Sequence, residues 1–196
     1  MIAMADADER TVRTYPRSLP LADGRTVTLR RMNSVDADRV LDFARSLPPD
    51  DLLFLRTDIT DAAVVAQWVA NLQSGRTLTV LAEAGGAMIG YSSIHKNEVS
   101  WQRHLGEMRI QVAPSARAQG LGRVLAGEMF AIARDEGLAK IVVQMTEEQR
   151  AARALVERLG FRVEALLQDF VIDRAGRTHD VVLMSYDVSG LTQHVD

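Results

Sequence analysis

The feature of the sequence that most constrains the fold is residues 112–125, where an apolar strand pattern gives way to a helical one. The strand pattern stops at Pro114, and an apolar helical stripe begins at Leu121. Gly120 and Gly122 stand at the helix entrance, where the first backbone N–H groups have no partner within the helix. Together with the positive end of the helix dipole, these uncovered donors predict a site for a phosphate or pyrophosphate group.

Two common phosphate-binding motifs lack residues that they require here. A Walker loop ends in Gly-Lys-Ser/Thr, whereas Gly122 is followed by Arg123 and Val124. A dinucleotide fingerprint needs a third glycine at the position of Leu125. Both absences oppose a nucleotide-binding domain, which stays the weakest of the alternatives. Arg117 and Arg123 would add positive charge to the proposed site.

Length and composition favour a single globular domain. The chain has 196 residues, 47% of them hydrophobic and 25% charged. We expect residues 1–10 to be disordered, residues 11–190 to form the domain and residues 191–196 to form a tail. No apolar run approaches the roughly 20 residues that span a bilayer. The acidic start lacks the pattern of a secretory signal, so we expect a cytoplasmic protein without a membrane partner.

Several functional classes are disfavoured by the residues that are missing or scattered. The chain has no cysteine, which excludes a disulfide and a thiol nucleophile. Its four histidines are scattered without ligand spacing, so no metal is expected. A net charge of -3 argues against nucleic acid as the main partner.

The order of predicted elements is two strands, two helices, three strands, a helix, a strand, a helix and two strands. This order predicts an α+β domain with a mixed, mostly antiparallel sheet of about seven strands flanked by four helices. Ser34 is the expected N-cap of the first helix, and Thr60 or Asp61 precedes the second. Thr146 and Gln149 have the spacing of a capping box before the last helix.

Two motifs resemble the signatures of the GNAT acyl-CoA-dependent N-acyltransferases. The first is Arg117-x-x-Gly120-x-Gly122 after the strand Glu107-x-x-Ile110-x-Val112-x-Pro114. The second, Gln149-x-x-Ala152-x-x-Leu155-Val156-x-Arg158-x-Gly160-Phe161, is similar to the family pattern Asn-x-x-Ala-x-x-Leu-Tyr-x-Lys-x-Gly-Phe. The element order resembles the GNAT fold from end to end. Residues 15–30 also resemble, more loosely, GNAT domains of bacterial protein lysine acetyltransferases.

The resemblance implies acetyl-CoA as cosubstrate and assigns contacts to it. The backbone of Ile110, Gln111 and Val112 would pair with the pantetheine arm, and one N–H would polarise the thioester carbonyl. The pyrophosphate would be held by the loop residues Arg117, Ala118, Gln119, Gly120, Leu121, Gly122 and Arg123. Gln149 stands where the family usually has an Asn that contacts the cofactor; a capping role explains it equally well.

The resemblance also makes Glu107 the candidate base that deprotonates the amine. The alternative is a carboxylate on a solvated strand face, paired with Arg109. Val156 occupies the position of the tyrosine that protonates the departing thiolate in many relatives, and valine cannot do so. Water, Tyr91 or Tyr186 remain as substitutes, or the thiolate leaves unassisted.

An acceptor site is implied between the first two helices and the final hairpin. Acidic side chains there would suit a cationic amine, but solvated carboxylates or helix caps are the stronger interpretation; the segments carry Asp50, Asp51, Arg56, Asp58, Asp61 and Trp68. The leading hypothesis is transfer of an acetyl group to a primary amine of a small molecule or a protein lysine, by direct attack in a ternary complex. A non-catalytic acyl-CoA sensor is the alternative, and a homodimer stays open.

Overall fold

Eight strands form one sheet in a computed structural model of the chain, which describes residues 13–53, 55–97, 100–173 and 175–188. The predictions for residues 1–10 and for the tail 191–196 lie outside the described residues. The eight strands match the predicted order of elements, although the sheet was expected to have about seven, and the predicted α+β class is confirmed.

The elements follow the predicted order. The first half contains β1 (Arg17–Pro20), β2 (Thr26–Arg31), α1 (Ala37–Ser46), α2 (Pro49–Leu52), α3 (Ala62–Gln73), β3 (Thr77–Ala84) and β4 (Ala87–Lys96). The second half contains β5 (Leu105–Val112), α4 (Leu121–Asp135), β6 (Lys140–Thr146), α5 (Arg150–Arg158), β7 (Arg162–Ile172) and β8 (Thr178–Asp187). The short helix α2 was not predicted; Pro49 at its first turn and Pro48 before it explain both its start and the end of α1.

The sheet has the order β1-β2-β3-β4-β5-β6-β8-β7. Neighbouring strands run antiparallel except β5 and β6, which are parallel. These two strands pair only where Leu105–Glu107 meets Lys140–Val142. The single parallel pair therefore opens towards the carboxyl ends of both strands.

Helices cover both faces of the sheet and divide the core in two. On one face α4 buries Leu125, Met129 and Ile132 against β-strand residues. On the other face α1 and α3 bury a second cluster that includes Phe43 and Trp68. Each face collects alternate residues of a strand, because side chains of a strand point to opposite faces in turn.

The predicted helix caps are confirmed in part. Asp61 accepts a hydrogen bond from the Ala63 N–H at 2.8 Å, as expected for the cap of α3. The prediction for Ser34 was wrong: a 3₁₀ turn precedes α1, and Asn33 caps this turn, since its side chain accepts from the Val35 N–H. α1 itself begins after Asp36, whose side chain forms no cap hydrogen bond. The capping box at Thr146 is half formed. Gln149 accepts from the Thr146 N–H at 3.0 Å, but α5 begins only at Arg150.

Candidate active site

The divergence of β5 and β6 creates a wedge with an unpaired strand edge. One edge of β5 pairs with β4 as far as Val112, which lies opposite Gly90. The other edge loses its partner after Glu107, where the pairing with β6 ends. Backbone N–H and C=O groups of residues 108–112 that point towards β6 are thus available to an extended ligand.

The loop that follows β5 leads directly to the amino end of α4. Gly120 is the N-cap residue and has φ +85°, a left-handed conformation that glycine adopts without strain. Ala118 also has a positive φ, of 59°. Within the described part of the chain, no group accepts a hydrogen bond from the N–H groups of residues 118–123. This run of free donors, at the positive end of a 15-residue helix, has the properties of an anion site.

The two glycines of this loop serve different purposes. A Cβ added to Gly120 would meet nothing within 4 Å, so space next to this backbone is open. A Cβ on Gly122 would lie 3.0 Å from Cδ2 of Leu155, so Gly122 permits close packing of α4 on α5. Because Gly120 has no side chain, the space beside its backbone is left open for a ligand.

The two arginines of the loop also differ. Arg117 forms an ion pair with Asp51 of α2, and its Nε donates to the Val112 carbonyl at 3.3 Å. Arg123 is exposed in the first turn of α4, and its side chain contacts no acceptor in the ranges the structure covers. Arg117 thus ties the loop to α2 and to the end of β5, while Arg123 stays available for an anion.

A cleft of about 640 Å³ lies beside the wedge. Its floor is the face of β4 and β5 that carries alternate polar residues: Tyr91, Ser93, His95, Glu107, Arg109 and Gln111. One wall comes from α3 and the segment before it, with Leu55, Arg56, Ile59, Val64 and Trp68. The opposite wall comes from the end of β6, Gln149 and the β7–β8 hairpin, including Thr146, Val171 and Val181. The cleft thus lies between α3 and the final hairpin, where the acceptor site stays a prediction.

Glu107 lies in the floor and is held by two guanidinium groups. Its Oε1 accepts from Nε of Arg109 at 3.0 Å, and its Oε2 accepts from Arg56. The carboxylate side chain is 20% exposed, so water and a substrate can reach it. The ion pair between Glu107 and Arg109, which the alternative interpretation predicted, is present. The strand face that carries this pair forms the floor of the cleft and is not an open surface.

His95 belongs to the floor and was not predicted from the sequence. It lies opposite Glu107 in the β4–β5 pairing. Its ring nitrogens contact the hydroxyls of Thr77 at 3.2 Å and Ser93 at 2.9 Å. Burial, followed by the positive charges of Arg109 and Arg56, lowers the pKa of His95 to about 3. His95 is therefore neutral at physiological pH.

Of the three tyrosines, only Tyr91 lines the cleft. Its ring packs against Trp68 with centroids 4.9 Å apart, and burial raises the pKa of its hydroxyl to about 12. Tyr186 packs instead among Phe130 and Phe161, away from the cleft. Val156 is buried in the core on the α4 face and does not line the cleft either.

The structure brings together only part of the predicted site. Glu107, Ile110, Gln111 and Gln149 line the cleft, whereas the side chain of Val112 packs against the core and residues 117–123 lie beyond the end of β5. The predicted acidic residues do not line the cleft: Asp51 pairs with Arg117, Asp61 caps α3, and Asp50 and Asp58 are exposed.

The described residues offer neither a metal site nor a helix that could span a membrane. They contain no group of three or more His, Cys, Asp or Glu side chains placed to hold a metal ion. None of the helices in those same ranges has the length and apolar character needed to cross a membrane.

Comparisons with known proteins agree on one family. A model of the "Acetyltransferase (GNAT) family" matches residues 41–161. A mycothiol acetyltransferase of Salinispora tropica is 33% identical over 106 residues, which are 48% of this chain and 34% of that protein. The chain aligns with about half, or less, of the length of the curated relatives it matches.

Solved structures share the fold. An acetyltransferase of the GNAT family from Streptococcus pneumoniae superimposes with a TM-score of 0.71 and 21% identity, covering 82% of this chain and 99% of that one. A phosphinothricin acetyltransferase from Sinorhizobium meliloti, in complex with acetyl-CoA, gives a TM-score of 0.70 at 22% identity, covering 82% and 88%.

Proposed function

Because the chain belongs to the GNAT family of acetyltransferases, we propose that it transfers an acetyl group from acetyl-CoA to a primary amine. The amine attacks the thioester directly while both substrates are bound. A covalent acyl-cysteine route is closed, because the chain has no cysteine. The thioester is already reactive, so the protein's task is to align the two substrates, polarise the carbonyl and accept a proton.

The observation that carries this proposal is the run of N–H donors at residues 118–123 that have no acceptor among the described residues. In the proposed complex these groups bind the pyrophosphate of acetyl-CoA, and Arg123 adds a positive charge. The open space beside Gly120 supports close approach of the phosphates to the backbone. Arg117 acts as a support that holds the loop to Asp51 and Val112.

The wedge between β5 and β6 supports a place for the pantetheine arm. The arm would pair with the free edge of β5 along Ile110, Gln111 and Val112, as an added strand does. This path runs from the anion site at the amino end of α4 towards Glu107 in the floor of the cleft. A backbone N–H on this edge would donate to the thioester oxygen as negative charge develops there.

Glu107 is proposed as the group that accepts the proton of the amine, directly or through a water molecule. Arg56 and Arg109 fix the orientation of its carboxylate from two sides. Its partial exposure leaves space for the amine or for a relaying water. His95, the other titratable side chain across the strand pair, is a poor base because its pKa is far below neutrality.

The thiolate that leaves does not receive its proton from the usual tyrosine. Val156 occupies that sequence position and is buried in the core. Tyr91 is the tyrosine that lines the cleft, but its raised pKa makes its hydroxyl a weak acid. We therefore assign protonation of the thiolate to the proton released from the attacking amine, carried by water.

A thiol-release assay tests the function. The protein is mixed with acetyl-CoA and with amino acids, polyamines, aminoglycosides or lysine peptides, and free thiol is measured over time. Amine-dependent release, with a matching acetylated product in the mass spectrum, is the expected result.

The second candidate is an acyl-CoA-binding sensor without turnover, which the valine at position 156 favours. Calorimetric binding of acetyl-CoA separates the two. Micromolar binding without thiol release from any amine would support the sensor and contradict the enzyme.

A further inference from the structure

The cleft carries more positive than negative charge. Among the described residues that line it, the charged side chains are Arg56, Glu107 and Arg109. Both guanidinium groups donate to the same carboxylate. Two cations therefore share one anion, and a positive charge remains next to the proposed base.

Both arginines keep hydrogen-bonding capacity after they have paired with Glu107. Arg109 uses its Nε, and Arg56 uses one Nη. A guanidinium has five N–H donors in a fixed fork, and the other donors of these two meet no acceptor within the described ranges. Arg109 is only 28% exposed, so its free donors are in the floor and not in bulk water. Such a fork matches the two oxygens of a carboxylate.

The acidic residues that could bind a second ammonium group have other partners or lie away from the cleft. Asp51 pairs with Arg117, and Asp61 caps the amino end of α3. Asp58 accepts hydrogen bonds from the N–H and hydroxyl of Thr60. A substrate with two positive charges would therefore place its second charge near two guanidinium groups, with no carboxylate among the described residues to balance it.

The lowered pKa of His95 agrees with the excess of positive charge in the cleft. Burial is the main cause of its lowered pKa, and the charges of Arg109 and Arg56 lower it further. The floor thus disfavours an additional cation and favours an anion beside these two arginines.

We propose that the acceptor is a primary amine that also carries a carboxylate, as a free amino acid does. Its carboxylate binds to the free donors of Arg109 and Arg56, and its amine faces Glu107. The apolar wall formed by Leu55, Ile59 and Trp68 would contact the rest of the molecule. This inference rests on the proposed function, because it names the acceptor class of that same site.

Matched pairs of amino acids and their carboxamides test the inference in the thiol-release assay. The amine of an amide is less basic than that of the free acid, so the quantity to compare between variants is the ratio of kcat/KM for acid over amide. We expect this ratio to fall about tenfold or more in Arg109→Gln, which loses charge-assisted hydrogen bonds to the carboxylate. Removal of the support that Arg109 gives to Glu107 affects acid and amide alike, so it leaves the ratio unchanged.

Two further variants complete the experiment. Arg56→Gln alters an exposed side chain, so it keeps the test informative if Arg109→Gln fails to fold, and its ratio should also fall. Arg134→Gln removes an exposed cation from the last turn of α4 and should leave the ratio as in the unmodified protein.

The outcomes separate this inference from the function on which it rests. Acetylation of polyamines or lysine peptides, without turnover of any amino acid, would overturn the inference and leave the acetyltransferase proposal intact. An unchanged acid-to-amide ratio in both arginine variants would overturn it as well. No thiol release with any amine would overturn both proposals together.

Discussion

The proposed site has two halves, and each half presents a different kind of chemical group to its ligand. The donor half, at the amino end of α4 and along β5, offers mainly backbone groups: the N–H donors of residues 118–123 and the free edge of β5. The acceptor half offers side chains on the floor of the cleft, among them Glu107, Arg109 and His95. A backbone site depends on local conformation, whereas a side-chain site depends on which strands lie next to each other.

This difference predicts different sensitivities to mutation. Substitutions in the donor half should alter the affinity for acetyl-CoA, because they disturb the fixed donors that bind it. Substitutions in the acceptor half should alter turnover and acceptor choice without affecting acetyl-CoA affinity. The following variants test whether the two halves separate in this way.

The largest effect is expected for Glu107→Gln. Loss of a general base typically costs about 10²-fold to 10⁴-fold, so we expect kcat to fall at least about a hundredfold at neutral pH. The dissociation constant of acetyl-CoA, measured by calorimetry, should stay within about twofold, since glutamine keeps the shape of the side chain.

Glu136→Gln is the matched control for this variant. Glu136 follows α4, pairs with Lys96 and does not line the cleft, so its replacement should leave kcat unchanged. Normal turnover of Glu107→Gln would remove Glu107 from the mechanism. A weakened acetyl-CoA affinity would instead show that the two halves are not independent.

The second effect concerns the pH dependence of stability. The pKa of His95 is about 3 in the native protein and near 6.5 in an unfolded chain. Well above pH 6.5 the His95 side chain is neutral in both the native and the unfolded state. As the pH falls through 6.5, the unfolded chain binds a proton at this side chain and the native state does not. At pH 5 this difference costs the native state about 2 kcal/mol. Between pH 7 and pH 5 the free energy of unfolding should therefore fall by about 2 kcal/mol less in His95→Gln than in the unmodified protein.

Urea denaturation at the two pH values measures this difference, and His104→Gln provides the control, because His104 is exposed. The comparison uses only the change between pH values, so a constant loss of stability in His95→Gln does not affect it. An identical pH dependence in the unmodified protein and in His95→Gln would show that the floor does not hold this histidine neutral.

The third effect tests the donor half. Gly120→Asp places a carboxylate beside the free N–H donors, where an added Cβ meets no atom within 4 Å, although the positive φ adds backbone strain. We expect the dissociation constant of acetyl-CoA to rise about tenfold or more, through lost hydrogen bonds and repulsion of the pyrophosphate. Turnover at saturating acetyl-CoA should change little.

Gly137→Asp makes the same change beyond the other end of α4. Gly137 also has a positive φ, of 67°, and open space for a Cβ, so the backbone strain is comparable. This control should bind acetyl-CoA normally. Equal affinities in the two aspartate variants would contradict a pyrophosphate site at residues 118–123.

The same contrast explains how much could be predicted from the sequence. The order of elements, the cap at Asp61 and the loop before α4 follow from local signals such as alternation, glycine and proline. The single-sequence patterns gave no means to detect α2, which is one short turn after two prolines. They also placed a cap at Ser34, one residue after Asn33, which caps the 3₁₀ turn before α1; both residue types are good caps.

The floor of the cleft could not be predicted, since its residues meet only through tertiary contacts. Arg56 and Glu107 are separated by 51 positions, and His95 reaches Glu107 only through the register of β4 with β5. The pairing of Asp51 with Arg117 likewise joins α2 to the loop before α4. The alternation of residues along one strand predicts on which face of the sheet a side chain lies. It does not predict which residue of the next strand lies beside that side chain.

The smallest effect is expected for Tyr91→Phe, which lies where the two halves meet. If its hydroxyl protonated the leaving thiolate, its loss would cost about 10²-fold or more in kcat. Burial, however, raises the pKa of Tyr91 to about 12, well above the roughly 8.5 of an ordinary thiol, so the transfer is unfavourable. We therefore expect kcat to fall less than about tenfold, since phenylalanine keeps the ring that packs against Trp68. A hundredfold loss, together with a changed basic limb of the kcat–pH profile, would instead make Tyr91 the acid that the valine at position 156 cannot be.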